Sequence, residues 1–304
     1  MDRIRLHFSR YWMLHLMAFP ALLYLLIFHY APMFGLVMAF QDFNIAKGYF
    51  GSDFVGLKNF EFLFATQDAW NITRNTVLYN VVFIVLNTTL SMTLAILFNE
   101  LYSKKLAKTL QTMLIMPYFL SMAVVAIIVY GFLSQRDGYV NKLLGALGMK
   151  TRNWYTYRPL WPWLLVLVNA WKNVGYNSVV YMASISGISE EYYEAAVLDG
   201  ATKWQQIRYV TIPQLRQIMI ILLILNLGSI FRGDFGLFYN VTQNNGMLYP
   251  VTDVIDTYVY RALTKLNNTG MAAAAGFYQS VMGLVMVLLS NAIVRKVDPE
   301  SALF

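Results

Sequence analysis

Cysteine is absent from all 304 residues, so the chain can form no disulfide, thiolate metal site or cysteine nucleophile. Charge is scarce as well: Asp, Glu, Lys and Arg make up 13% of the chain, against about 25% in soluble domains. Only three histidines occur, His7, His15 and His29, all near the N-terminus and without a Cys or carboxylate cluster beside them. No metal site is expected from them, and packing at a membrane interface is their expected role. No Gly-Lys pair exists, which removes the core of a phosphate-cradling Walker A loop. Gly-x-Ser-x-Gly and His-Glu-x-x-His are missing too. With no nucleophile or metal set to assemble, the chain is not expected to be an enzyme or to bind a cofactor of its own.

What is present is apolar. Hydrophobic residues account for 58% of the chain and the mean hydropathy is +0.49, the composition of a membrane protein. The net charge of +7 is then read as basic flanks facing lipid headgroups rather than as a nucleic-acid surface. A spanning helix needs about 20 apolar residues. Six runs qualify, at about 11–40, 79–98, 112–134, 160–187, 217–240 and 269–294. The expected fold is therefore all-α and polytopic, with six transmembrane helices in a single domain of residues 1–304. The first run is too long for a removable signal peptide and lacks a small-residue cleavage site. The third contains Pro117 near its start, the fourth holds Lys172, and the fifth stays apolar to Phe231 before meeting Arg232 and Asp234. Small residues from Ala272 to Gly276 suit close helix packing in the sixth.

An even number of spans puts both termini on one side. Arg3, Arg5 and Arg10 precede the first run, Lys104, Lys105 and Lys108 follow the second, and Arg295 and Lys296 follow the sixth. The positive-inside rule places these flanks in the cytoplasm. Residues 41–73 and 240–268 become outer loops, rich in Asn, Gly and aromatics.

The segment 189–213, between the fourth and fifth runs, is charged and so lies outside the bilayer, on the cytoplasmic side. Ser189 can cap a helix, Glu190 and Glu191 suit its first turn, and Gly200 permits a bend. A second short helix is expected from Lys203 to Tyr209, with Pro213 resetting the chain before the fifth span. Spacing alone leaves two readings open, an interfacial amphipathic loop or a handle for a partner.

The order Glu194-Ala195-Ala196-Val197-Leu198-Asp199-Gly200, followed by Ile212-Pro213, closely resembles the cytoplasmic signature of permease subunits of binding-protein-dependent ABC importers. Ile-Pro stands where Leu-Pro is common. Phe54-Val55-Gly56-Leu57-Lys58-Asn59-Phe60 and Arg74-Asn75-Thr76 look like the family's outer loop and second-span start. Gly233 to Tyr239 and Leu248 to Tyr258 resemble its polysaccharide and oligosaccharide branch, which includes alginate-type importers. The resemblance implies a cytoplasmic coupling helix in which Glu194, Ala195, Ala196, Asp199, Gly200, Ile212 and Pro213 meet an ATPase subunit. It also implies two ATPase subunits that bind ATP and Mg²⁺, a second and related permease chain, an extracytoplasmic solute-binding protein, a carbohydrate cargo and a bacterial inner membrane.

For the cargo path the candidates are Lys172, Asn173, Tyr176, Asn177, Arg232, Asp234 and Tyr239. Charges inside a span are expensive and default to function, and sugars favour aromatics paired with amides and charges. Asn169, Asn173, Tyr176 and Asn177 share one helical face. Lys172 and Arg232 could meet a uronate carboxylate. They could equally be structural, Lys172 pairing with Asp234 or a partner's carboxylate and Arg232 with Asp234 forming a turn. Two rival functions stay open: a stand-alone secondary transporter for a polar solute, although no internal repeat or deep acidic residue is visible, and an ABC permease for a non-sugar solute.

Overall fold

The computed structural model describes residues 11–62, 67–265 and 267–304; Arg3, Arg5, His7 and Arg10 lie outside the described residues. Two compact units divide the chain, Met1–Ala65 with Ala262–Tyr278, and Thr66–Arg261 with Gln279–Phe304. The fold is almost wholly helical, as expected. Among the described residues, the sheet is a ladder of two short strands, β1 (Gln41–Asp42) and β2 (Asp53–Phe54), paired antiparallel with Gln41 opposite Phe54.

In the first unit, α1 (Trp12–Phe40) is apolar all round, and none of its residues from Trp12 to Met33 is buried, as suits a helix facing lipid. The loop that follows α1 folds back on its end. Asn59 Nδ2 donates to the carbonyls of Ala39 (3.1 Å) and Gln41 (2.8 Å), and the rings of Phe40, Phe60 and Phe277 pack together. Ala274 and Ala275, in the small-residue run, are fully buried.

The second unit is built on α2 (Gln67–Glu100) and α6 (Trp161–Ser186), which run side by side. No water is present in a bilayer core, so their polar side chains bond across the interface. Ser91 Oγ donates to the Val174 carbonyl (3.0 Å) and Asn87 Nδ2 to Asn169 Oδ1 (2.9 Å). Tyr79, Phe83, Val125, Val129, Trp161, Leu165, Phe238 and Val241 belong to one buried core at one end. Ala95, Tyr181, Ile185 and Leu215 form a smaller one toward the other end.

The third expected span, 112–134, is not one helix. The helix α3 (Lys104–Ile115, extended by a 3₁₀ turn to Phe119) breaks, and α4 (Met122–Leu133) leaves at 98° to it. Leu120 and Ser121 are extended, and the Ser121 hydroxyl caps α4 by accepting from the Val124 N–H (3.3 Å). The break leaves carbonyls without helical partners. Lys172 of α6 reaches them: its Nζ donates to the carbonyls of Tyr118 (2.8 Å) and Leu120, and also to that of Pro117 (3.3 Å), which already accepts the Leu120 N–H. Next to it, Gly175 lets α6 touch the backbone of α3. A Cβ there would lie 1.9 Å from the Leu114 carbonyl oxygen. Beyond α4 come α5 (Tyr139–Ala146) and a loop folded on Asn141, whose amide bonds the backbone of Gln135 and Arg152.

The fifth expected span also differs. After α7 (Glu190–Leu198), one helix, α8, runs from Lys203 to Gly228, so the expected short helix 203–209 is its first part, and it stops well before residue 240. Pro213 does not break it because a π turn over Ile207–Thr211 precedes it. The Ile212 N–H bonds the Ile207 carbonyl, and the widened turn absorbs the missing proline donor. The same device, with Ala31 bonding Leu26 ahead of Pro32, keeps α1 continuous. Gly228 ends α8 where it meets α10 (Thr269–Val297): a Cβ on Gly283 would lie 2.4 Å from the Gly228 carbonyl. Between them a π turn (Leu237–Val241), a short helical turn (Tyr249–Thr252) and α9 (Ile255–Thr264) form the connecting segment.

By length and composition, α1, α2, α8 and α10 can each cross a membrane, and the bent pair α3–α4 makes a fifth if it counts as one span. In the run expected as the fourth span, α6 is 26 residues long but buries Asn169, Lys172 and Ser178.

Lys172→Met is expected to lower stability by roughly 1–3 kcal/mol, the effect of leaving buried carbonyls unpaired, read as a drop in the thermal unfolding midpoint in nanodiscs. Gly175→Ala should destabilise by about 1–3 kcal/mol through overpacking. Gly131→Ala, on α4 with nothing within 4 Å of the added Cβ, should be neutral or stabilising by up to ~1 kcal/mol.

Candidate functional site

Two features stand out from the packed helices, an exposed elbow at one end and a polar cavity within the second unit. The elbow is the segment 189–213. Ser189 Oγ accepts from the Glu191 N–H (3.4 Å), and Glu190 and Glu191 occupy the first turn of α7. At its end the Ala201 N–H bonds the Ala196 carbonyl (2.8 Å) and the Gly200 N–H bonds the Val197 carbonyl (3.0 Å). This pairing requires a left-handed residue, and Gly200 supplies it at φ +80°. Thr202 and Gln205 then form a capping box that starts α8. Tyr193 Oη and Thr211 Oγ1, 3.0 Å apart, tie α7 to α8.

The elbow has a fixed shape but a bare surface. Glu194, Ala195, Asp199, Gly200, Ile212 and Pro213 are exposed and Ala196 is half-buried. Beside them stand Tyr192, Val197, Trp204, Tyr209 and Leu198, the last 88% exposed. A polar cleft of about 610 Å³ adjoins them, lined by Glu100, Lys104, Glu190, Glu194 and Lys203 among others, with Lys203 3.6 Å from Glu100.

The cavity, of about 340 Å³, lies among α2, α6, α8 and the turn that follows α8. Asparagines line it: Asn80 and Asn87 from α2, Asn169 and Asn177 from α6, and Asn226 from α8, together with Thr88, Ser229, Arg232 and Asp234. An amide offers both donors and acceptors, so this wall can bond hydroxyl groups in either sense. Asn87 Oδ1 is buried without a partner among the described residues. Asn80 Nδ2 donates to the carbonyls of Ile230 and Arg232, both at 2.9 Å, which fixes the turn. From the other side, Asp256 accepts from the Gly233 N–H (2.5 Å) and from Gln279 Nε2 (3.0 Å), and Gln279 also donates to the Phe231 carbonyl (2.7 Å). Burial raises the Asp256 carboxyl above its ordinary range, although these hydrogen bonds and the nearby Arg232 pull the other way.

Of the path residues expected from the sequence, the cavity brings together Asn177, Arg232 and Asp234. Lys172 is committed to the carbonyls at the α3–α4 break. Tyr176 stacks on Tyr118 (centroids 3.9 Å apart), and Asn173 donates to the Asn169 carbonyl (3.0 Å). Tyr239 packs against Phe235 and Tyr260. Asn80, Asn87 and Asn226 were not singled out by sequence reasoning. Their signal was available: in otherwise apolar runs, Asn80 and Asn87 sit seven residues apart on one helical face.

A family model described as "Binding-protein-dependent transport system inner membrane component" matches residues 75–299. Protein LplB of Bacillus subtilis is 31% identical over 94% of this chain and 90% of its own length. YteP of the same organism, a polygalacturonan/rhamnogalacturonan transport system permease, is 31% identical over 94% of this chain and 89% of its own. The fold matches a chain of a bacterial alginate ABC transporter, solved in complex with an alginate pentasaccharide-bound periplasmic protein, with a TM-score of 0.86, 33% identity, and coverage of 97% and 98%. On this sequence match and this shared fold, the chain belongs to the inner membrane components of binding-protein-dependent transport systems.

Proposed function

We propose that this chain is the permease subunit of an ATP-driven ABC importer for an oligo- or polysaccharide, delivered by an extracytoplasmic binding protein. The observation that carries the cargo reading is the cavity, where five asparagines, the hydroxyl side chains of Thr88, Tyr181 and Ser229, one Arg and one Asp meet inside an apolar bundle. That lining suits a neutral-to-acidic polyhydroxylated solute, and the names borne by YteP and the alginate transporter agree with it. The family is one of transport components, not enzymes.

The elbow is the proposed seat of an ATPase subunit, with Glu194, Ala195, Ala196, Asp199, Gly200, Ile212 and Pro213 at or beside the contact. The partner ATPases hold ATP and Mg²⁺, and this chain binds neither. Exposed Val197, Leu198 and Trp204 give the contact an apolar centre, and the charged cleft gives it a polar rim. The α8 helix then acts as a lever. It is braced to α7 at Thr211, extends roughly 39 Å at 1.5 Å per residue, and ends with Leu222, Asn226 and the adjoining Ser229 in the cavity wall. A push at the elbow thus reaches the cargo path through one continuous helix. A second, related permease chain completes the path, both termini lie in the cytoplasm, and residues 1–304 act as one permease domain.

Glu194→Lys is expected to abolish co-purification with an ATPase and to lower ATP-driven uptake by at least about tenfold, the factor that 1.4 kcal/mol represents. Arg232→Met should keep the ATPase bound and slow uptake alone. Full uptake by the isolated chain, driven by an ion gradient without ATP, would refute the reading.

A further inference from the structure

The cavity wall ends at Asp234, and the next residue begins the aromatic cluster that holds Tyr239. Phe235 stacks on Tyr239 (centroids 4.9 Å, planes 19° apart). Tyr260 meets both, at 5.0 Å from each. Such rings would normally be driven into a core, as Tyr79, Phe83 and Phe238 are. These three keep surface instead: Phe235 and Tyr239 are half-buried and Tyr260 is 39% exposed.

The cluster is held on both sides. Asp234 Oδ1 accepts from the Leu237 N–H (3.0 Å), fixing the turn that carries Phe235 and Tyr239. Asp256 ties α9 to Gly233 and places Tyr260, one helical turn later, beside Phe235. Behind it, Arg261 pairs with Asp253, stands 4.1 Å over the Tyr249 ring and reaches Asn244 Oδ1, locking the loop against α9. A rigid aromatic surface set beside a hydroxyl-bonding cavity has the two components a sugar needs. Rings take the apolar C–H face, and amides take the hydroxyl edge.

We infer that Phe235, Tyr239 and Tyr260 form a stacking platform for a pyranose ring of the cargo, next to the asparagine-lined cavity. This rests on the saccharide reading proposed above. The platform holds one ring by its face while the neighbouring unit reaches Arg232 and the amides. The other role open to such rings is a membrane-interface belt, which would anchor the chain without touching cargo.

The test uses the whole transporter, reconstituted in vesicles with its binding protein, ATPases and partner permease. Uptake of galacturonate, mannuronate–guluronate and glucan oligosaccharides is measured together with ATP hydrolysis, at saturating loaded binding protein. For Phe235→Leu and Tyr260→Leu, sugar imported per ATP should fall between about threefold and tenfold, with stimulated ATP hydrolysis retained and Tyr260→Phe close to wild type. An unchanged ratio in both leucine variants overturns the platform, whether or not assembly or ATP hydrolysis falls, since a belt or purely structural role lowers both rates together. If the wild-type transporter imports none of the saccharides, the cargo reading itself fails, a result distinct from loss of the platform alone.

Discussion

A helix that stops inside a bilayer leaves carbonyls with no water to bond, and each such group costs several kcal/mol unless the protein supplies a donor. The α3–α4 break interrupts the helical bonding of its carbonyls, and the Lys172 ammonium supplies donors to Tyr118 and Leu120 and a second one to Pro117. Much of the second unit follows from that contact. It pins α6 against the break, where Gly175 admits the α3 backbone and Tyr176 stacks on Tyr118. With α6 so placed, Asn169 and Asn177 face the cavity shared with α2 and α8. The cation's burial is compensated because its donors and the orphan acceptors satisfy one another.

The two proposed working parts obey opposite rules. The cavity is polar within an apolar bundle, and its shape depends on the turn after α8, held by Asn80 on one side and Asp256 with Gln279 on the other. The elbow leaves apolar side chains on a surface whose backbone is fully capped, at Ser189, Gly200 and Thr202. Between them α8 stays unbroken past Pro213 because the π turn absorbs the missing donor.

Much of this was legible in the chain. Apolar runs announced the helices, and Ser189, the paired glutamates and Gly200 announced the elbow, because capping and left-handed turns depend on local residue chemistry. The break after Phe119 was not legible as a break. Pro117 alone is compatible with a bent span, and what stabilises the bend comes from Lys172, more than fifty residues away. The end of α8 at Gly228 was missed because apolarity continues to Phe231, while the helix stops where it packs against Gly283.

The cavity divides the same way. Arg232, Asp234 and Asn177 could be picked out because charge and amide groups are conspicuous near apolar runs. Lys172 was equally conspicuous, yet its ammonium is turned to backbone carbonyls, which no residue pattern marks. By itself, the sequence determined that the chain is an all-helical membrane protein with a charged elbow leading into α8, since composition and local capping are properties of neighbouring residues. Only the tertiary structure decided which polar groups share a cavity and which repair the backbone. That choice depends on which helices touch, and a buried polar group bonds whatever partner packing brings within reach.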